Sequence, residues 1–136
     1  MLATVSLVAA GCGGSSSKDN STPVSLAGQV NKHGTKTVKD GDSVEVEADN
    51  YYFNPTFVKA PAGAKLKLEL KNDGSVPHTF TSDALNVDQQ LSPGKSKKLT
   101  VTVPTSGAAF QFHCDFHEAM GMQGAFFTKA GSKVSS

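Results

Sequence analysis

From residue 24 onward the chain alternates between apolar and polar side chains. Residues 43–48 read Ser-Val-Glu-Val-Glu-Ala, and residues 65–71 read Lys-Leu-Lys-Leu-Glu-Leu-Lys. Further on, Leu99, Val101 and Val103 interleave with Lys98, Thr100 and Thr102. Phe110, Phe112 and Cys114 share one parity, Gln111 and His113 the other. A period of two puts each set on one face of a half-buried strand. Turn-forming clusters separate these runs: Lys39-Asp40-Gly41-Asp42, Pro61-Ala62-Gly63, Asn72-Asp73-Gly74-Ser75, Ser92-Pro93-Gly94 and Ser106-Gly107. Short strands punctuated this regularly predict an all-β sandwich with Greek-key connections. Residues 83–91 leave room for a helical turn or two, and no internal repeat is visible. The small, polar tail over 130–136 is expected to fray.

The front end reads differently. Residues 2–10 are short and apolar and end in small residues, followed by Gly11-Cys12 and a Gly/Ser-rich run to Pro23. Such a segment is a signal-peptide core with a cleavage site, too short for a membrane span. A cysteine directly after the small residues, with a flexible tether behind it, resembles the lipobox of bacterial lipoproteins. In that family the cysteine becomes the lipid-carrying N-terminus. The stretch carries no basic residues, which leaves room for a start upstream of Met1; a plain secretory leader with an incidental cysteine is the other option. Both predict export, either lipid-anchored and facing outward or free in the periplasm or medium. The expected layout is a leader at 1–11, a tether at 12–23, a folded domain at 24–129 and the tail.

Composition narrows the picture further. The 136 residues suit one domain with one real core. Formal net charge is +1 with the lysines scattered, so nothing marks a nucleic-acid surface. The only membrane link expected is a lipid on Cys12, and the domain is expected to be a monomer. The two cysteines, Cys12 and Cys114, each sit in a context that accounts for them separately, which argues against a disulfide between them.

The chemistry gathers near the C-terminus, in Phe112-His113-Cys114-Asp115-Phe116-His117-Glu118-Ala119-Met120-Gly121-Met122-Gln123-Gly124. Taken as a metal site, Cys114 and His117 lie across a tight loop and Met122 returns at the start of the next strand. One loop can therefore present thiolate, imidazole and thioether to one point. The second imidazole must come from elsewhere, and His78 in Val76-Pro77-His78-Thr79-Phe80 is the natural donor. It shares a face with Phe80, as Cys114 does with Phe110 and Phe112. Two histidines, a thiolate and a weak methionine are the trigonal donor set of blue-copper electron transfer. Zinc also binds Cys and His but gains little from a thioether.

The order His … Cys-x2-His-x4-Met, closing on Gly-Met-x-Gly, resembles the copper motif of the plastocyanin/azurin family of cupredoxins. Tyr52-Phe53-Asn54-Pro55 and the following Pro-Ala-Gly turn are similar to that family's early strands. The segment from Asn72 to His78 is similar to the one that delivers its first histidine. The resemblance covers roughly residues 44–128. It implies a cupredoxin-like Greek-key β-sandwich, one type 1 copper held by His78, Cys114, His117 and Met122, and a one-electron carrier with a redox partner protein. It also implies an apolar docking patch of Phe116, Ala119 and Met120 around His117, with loop packing as the alternative.

Neighbouring residues divide as follows. Met120 competes for the axial place, but the Met-x-Gly leading into the last strand favours Met122. His113 points away from the site, and an ordinary outward polar residue is favoured over an electron exit. His33 is expected to be solvated. Thr79 and Asp115 each follow a ligand and are placed to bond across the two loops and tune the sulfur. Lys95, Lys97 and Lys98 read as a solvated strand end. A catalytic copper needs an open position that this set fills, so no enzyme is expected. The rival to an electron carrier is a copper-binding protein for sequestration or delivery.

Overall fold

The computed structural model describes residues 22–134. The expected leader, Cys12 and nearly all of the tether fall outside them. Twelve strands make up the described chain: β1 Val24–Ser25, β2 Thr35–Thr37, β3 Ser43–Asp49, β4 Tyr52–Asn54, β5 Phe57–Lys59, β6 Lys65–Asn72, β7 His78–Ser82, β8 Val87–Leu91, β9 Ser96–Thr102, β10 Ala109–His113, β11 Gln123–Phe127 and β12 Ser132–Lys133. A single 3₁₀ turn covers Glu118–Met120.

Two sheets face each other. The larger has the order β2-β5-β11-β10-β7-β8, the smaller β4-β3-β6-β9. The chain crosses between them repeatedly, so five of the eight neighbouring strand pairs are not consecutive in sequence. The alternation read from the sequence explains the core. Val44, Val46 and Ala48 of β3 and Leu66, Leu68 and Leu70 of β6 are buried. They meet Phe80, Phe110, Phe112 and Phe126 from the larger sheet. Phe112 stacks on Phe80 at 4.7 Å between centroids and meets Phe53 edge-on at 5.1 Å. Each such ring or leucine, fully buried, contributes about 1.5–3 kcal/mol, and this aromatic layer floors the end of the sandwich where His78 and Cys114 sit.

The alternation fails in β11, where all five residues are buried. Its outer face, with Ala109, Ala125 and Phe127, is covered by a second cluster that includes Val24, Leu26, Val30 and Val134. The described part of the expected tail, up to Val134, takes part in that cover. Ser132 and Lys133 pair in parallel with Val24 and Ser25, and Gly131 N–H donates to Pro23 O at 2.7 Å. Apolar surface on β10 and β11 would otherwise face water, so the chain's last described residues are recruited to hide it. Residues 83–91 are likewise not helical. Asn86 takes a left-handed φ of 53° in a turn closed by its N–H on Asp83 O at 3.1 Å, and strand β8 follows. Val87 and Leu91 are buried, and a spacing of four satisfies a strand as well as a helix.

Candidate metal centre

Strands β7 and β10 are antiparallel neighbours, so the start of one lies beside the end of the other. His78 opens β7, and Cys114 directly follows β10. From Cys114 the chain makes a loop whose neck is tied by Cys114 N–H on Met122 O at 3.0 Å. Within it, His117 N–H and Glu118 N–H both donate to Cys114 O, at 3.1 and 2.9 Å. Met122 N–H returns to His117 O at 3.2 Å. Gly121 makes the reversal at φ 98°, a conformation in which a Cβ is disfavoured, and one here would come within 2.7 Å of Asn31 Oδ1.

This architecture brings three donors together. Cys114 Sγ lies 3.5 Å from His117 Nδ1 and 3.9 Å from His78 Nδ1. The donor atoms of His78, Cys114 and His117 all lie within 4.8 Å of one another. Metal–sulfur and metal–nitrogen bonds of about 2.3 and 2.0 Å meeting at about 120° set donors about 3.7 Å apart. The spacing therefore fits one ion in a trigonal plane. His78 and Cys114 are fully buried, while His117 is partly exposed. Burial, then the neighbouring His117, pushes the His78 pKa down to about 4, against a weaker opposite pull from Asp49. At neutral pH its imidazole is uncharged and ready to donate a lone pair.

Met122 is fully buried, whereas Met120 is 48 % exposed. Only the former is enclosed with the core cluster that holds Cys114. The Thr79 side chain bonds across the two loops as expected, but the group that donates to the sulfur is a backbone N–H. Thr79 N–H donates to Cys114 Sγ at 3.4 Å, and Asp115 N–H donates to Thr79 Oγ1 at 2.8 Å. Thr81 Oγ1–H donates to Asp115 Oδ2 at 3.1 Å. His113 faces outward and bonds Asp115 Oδ1 through Nε2 at 3.0 Å. His33 is exposed and outside the donor group, yet its ring stacks on Tyr52 with centroids 3.5 Å apart. Phe116, 54 % exposed, meets His117 edge-on at 6.1 Å.

Three residues of the site carry no signal in the sequence. Asn50 Oδ1 is 3.1 Å from His78 Nε2. Tyr51 packs against His117 with centroids 4.5 Å apart. Asn31 Nδ2 donates to Tyr51 O at 2.8 Å and to Met120 O at 2.9 Å, tying the β3–β4 turn to the Cys114–Met122 loop. They come from distant stretches with no motif spacing, and only the fold assembles them.

Residues 21–126 match the family model for the cupredoxin-like domain. The chain belongs to that family, and its His78, Cys114 and His117 group fits the type 1 copper site of a cupredoxin-type copper protein. Among solved structures it is similar to auracyanin B, at 20 % identity and a TM-score of 0.55, over 76 % of this chain and 95 % of that one. It is also similar to a chain in a cryo-EM structure of a heme-copper terminal oxidase dimer, at 18 % identity and a TM-score of 0.55, over 76 % of this chain and 74 % of that one. Likenesses this remote establish the fold alone. No curated protein matches the chain. Among the described residues no helix is long and apolar enough to cross a membrane.

Proposed function

We propose that this chain is an exported type 1 copper protein acting as a one-electron carrier outside the cytoplasmic membrane. The observation that carries the proposal is the donor set: one buried cysteine sulfur 3.5 and 3.9 Å from two imidazole Nδ1 atoms. His78, Cys114 and His117 would hold the ion, with Met122 as a weaker fourth donor. Copper bound there provides the Cu(II)/Cu(I) couple. The soft sulfur donors suit the reduced ion and the imidazoles the oxidised one.

The chain's own residues favour carrying electrons over catalysis. Four donors leave no position for a substrate, and the aromatic layer beneath them is closed to water. The Thr79 N–H bond withdraws charge from the thiolate and holds it in place, which limits rearrangement between oxidation states. His117 reaches the surface between Phe116 and Met120, whose exposed side chains form an apolar rim for a redox partner protein. Cys12, after its apolar leader, is the point at which a lipid would tether the domain.

Copper(II) added to the apo-protein should give an intense visible thiolate-to-copper band, and Cys114→Ser should abolish it. A band that survived in Cys114→Ser would refute the site. Repeated reduction and reoxidation without metal loss is the result expected of a carrier. Transfer of Cu(I) to a competing chelator on reduction would instead mark a protein for copper sequestration or delivery.

A further inference from the structure

The β3–β4 turn reaches over the buried end of the site, and one of its side chains touches a proposed ligand directly. We propose that Asn50 is a positioning residue that holds the His78 ring with Nε2 protonated and Nδ1 free to bind metal. The inference rests on the copper reading only for what His78 binds; the hydrogen-bond geometry stands without it.

The hydrogen-bond pattern around Asn50 leaves one assignment. Ser75 N–H lies 3.2 Å from Asn50 Oδ1, and Asn50 Nδ2 donates to Ser75 Oγ at 2.6 Å. A backbone N–H can only donate, so the amide oxygen must face Ser75 N and the amide cannot be turned over. The same oxygen lies 3.1 Å from His78 Nε2. An amide oxygen can only accept, so Nε2 must carry the proton. In a neutral imidazole the other nitrogen then keeps its lone pair. That nitrogen, Nδ1, is the one 3.9 Å from Cys114 Sγ.

The surroundings are built to keep this contact. Gly74 passes so close that a Cβ there would run into Asn50 Oδ1 and come within 2.7 Å of His78 Nε2. Asp73 N–H and Gly74 N–H donate to Ala48 O at 2.9 and 3.2 Å, fixing the 72–76 segment against β3. Asn72 is fully buried; its Oδ1 accepts from Gly74 N–H at 2.9 Å, and its Nδ2 donates to Val76 O and Leu91 O. Ring orientation at a metal-binding histidine is set by the partner of its second nitrogen. Here that partner is a side chain, so it can be changed by substitution.

The test uses three variants, each first shown to melt cooperatively. Long-range proton–nitrogen correlation spectra of the apo-protein at pH 7 should show His78 protonated at Nε2, with that proton protected from exchange. Asn50→Leu, which removes the acceptor, should lose the protected proton and weaken copper binding by about 10–100-fold. Asn50→Asp retains an acceptor and should restore both. Ser75→Ala removes only the partner of Nδ2 and should leave the His78 signal in place. A protected Nε2 proton and unchanged copper affinity in Asn50→Leu would overturn the proposal. So would Asn50→Asp behaving like Asn50→Leu, or loss of the signal in Ser75→Ala, since either reduces Asn50 to loop packing. Failure of the copper reading would look different: the wild-type protein would give no thiolate-to-copper band while its His78 proton behaved as described.

Discussion

His78 and His117 offer the same atom to the same point from opposite surroundings. His78 begins a strand, is fully buried, and is held at its far nitrogen by Asn50. His117 stands in a loop, partly exposed, between Phe116 and the turn that carries Met120. Their rings are 5.1 Å apart and steeply inclined. The contrast divides the labour of the site. The buried side fixes geometry, because the His78 ring is shielded from solvent and its Nε2 has a defined partner in Asn50 Oδ1. The exposed side provides access, because only there does a ligand ring reach the surface. A redox centre needs both, since rigidity keeps rearrangement small and an exposed edge shortens the path to a partner.

The strongest way to break the contrast is to remove each ring in turn. His78→Gly and His117→Gly should each cost more than the roughly 10–100-fold loss of metal affinity that follows from disturbing a ligand's partner alone. Free imidazole should then restore the thiolate-to-copper band in His117→Gly, because the vacated space opens to solvent. It should fail in His78→Gly, where the gap lies under the 72–76 segment and the β3–β4 turn. Visible titration with imidazole reads both. Equal rescue in the two variants would show that burial does not separate them.

A second way uses acid on the apo-protein. The His78 pKa is lowered from 6.5 to about 4 by burial and by His117. Between these values the unfolded chain binds a proton that the folded one refuses, so stability must fall as pH drops from 6.5 toward 4. The whole contribution amounts to about 3 kcal/mol, with the loss complete only below pH 4. Thermal melts at pH 7, 5.5 and 4 should therefore fall more steeply for the wild-type apo-protein than for His78→Asn, which has nothing to titrate there. Parallel slopes would mean that His78 is less secluded than its full burial implies.

What the sequence disclosed follows the same division. Cys114, His117 and Met122 lie within one loop, so their spacing alone announces a common site. His78 followed from strand parity, because its pairing with Phe80 on one face survives folding intact. Asn50, Tyr51 and Asn31 were silent: an asparagine in a turn is commonplace, and its partner is set by a sheet crossover that no local pattern encodes. The described part of the tail was silent for a related reason. Ser132 and Lys133 have no apolar parity of their own; they pair with Val24 and Ser25, beside the cluster in which Val134 packs with Ala125 and Phe127. Local periodicity reports which face of a strand is buried, but not what arrives to bury the other.

The finest test concerns the two methionines, which repeat the buried and exposed contrast within a single loop. Met122 has no exposed surface and Met120 has about half of its own exposed. Replacing Met122 by Leu is close to volume-conserving and should cost less than about 1.5 kcal/mol. The copper-loaded variant should keep its colour, since the thiolate that absorbs is untouched. Its reduction potential should rise if Met122 is the proposed fourth donor, because losing a weak donor costs the oxidised ion more than the reduced one. Met120→Leu should change stability by no more than about 0.5 kcal/mol and leave the potential where it was. Voltammetry on the two variants decides the axial assignment. A shift in Met120→Leu with none in Met122→Leu would move the fourth donor to the rim, and the buried side of the loop would then serve packing alone.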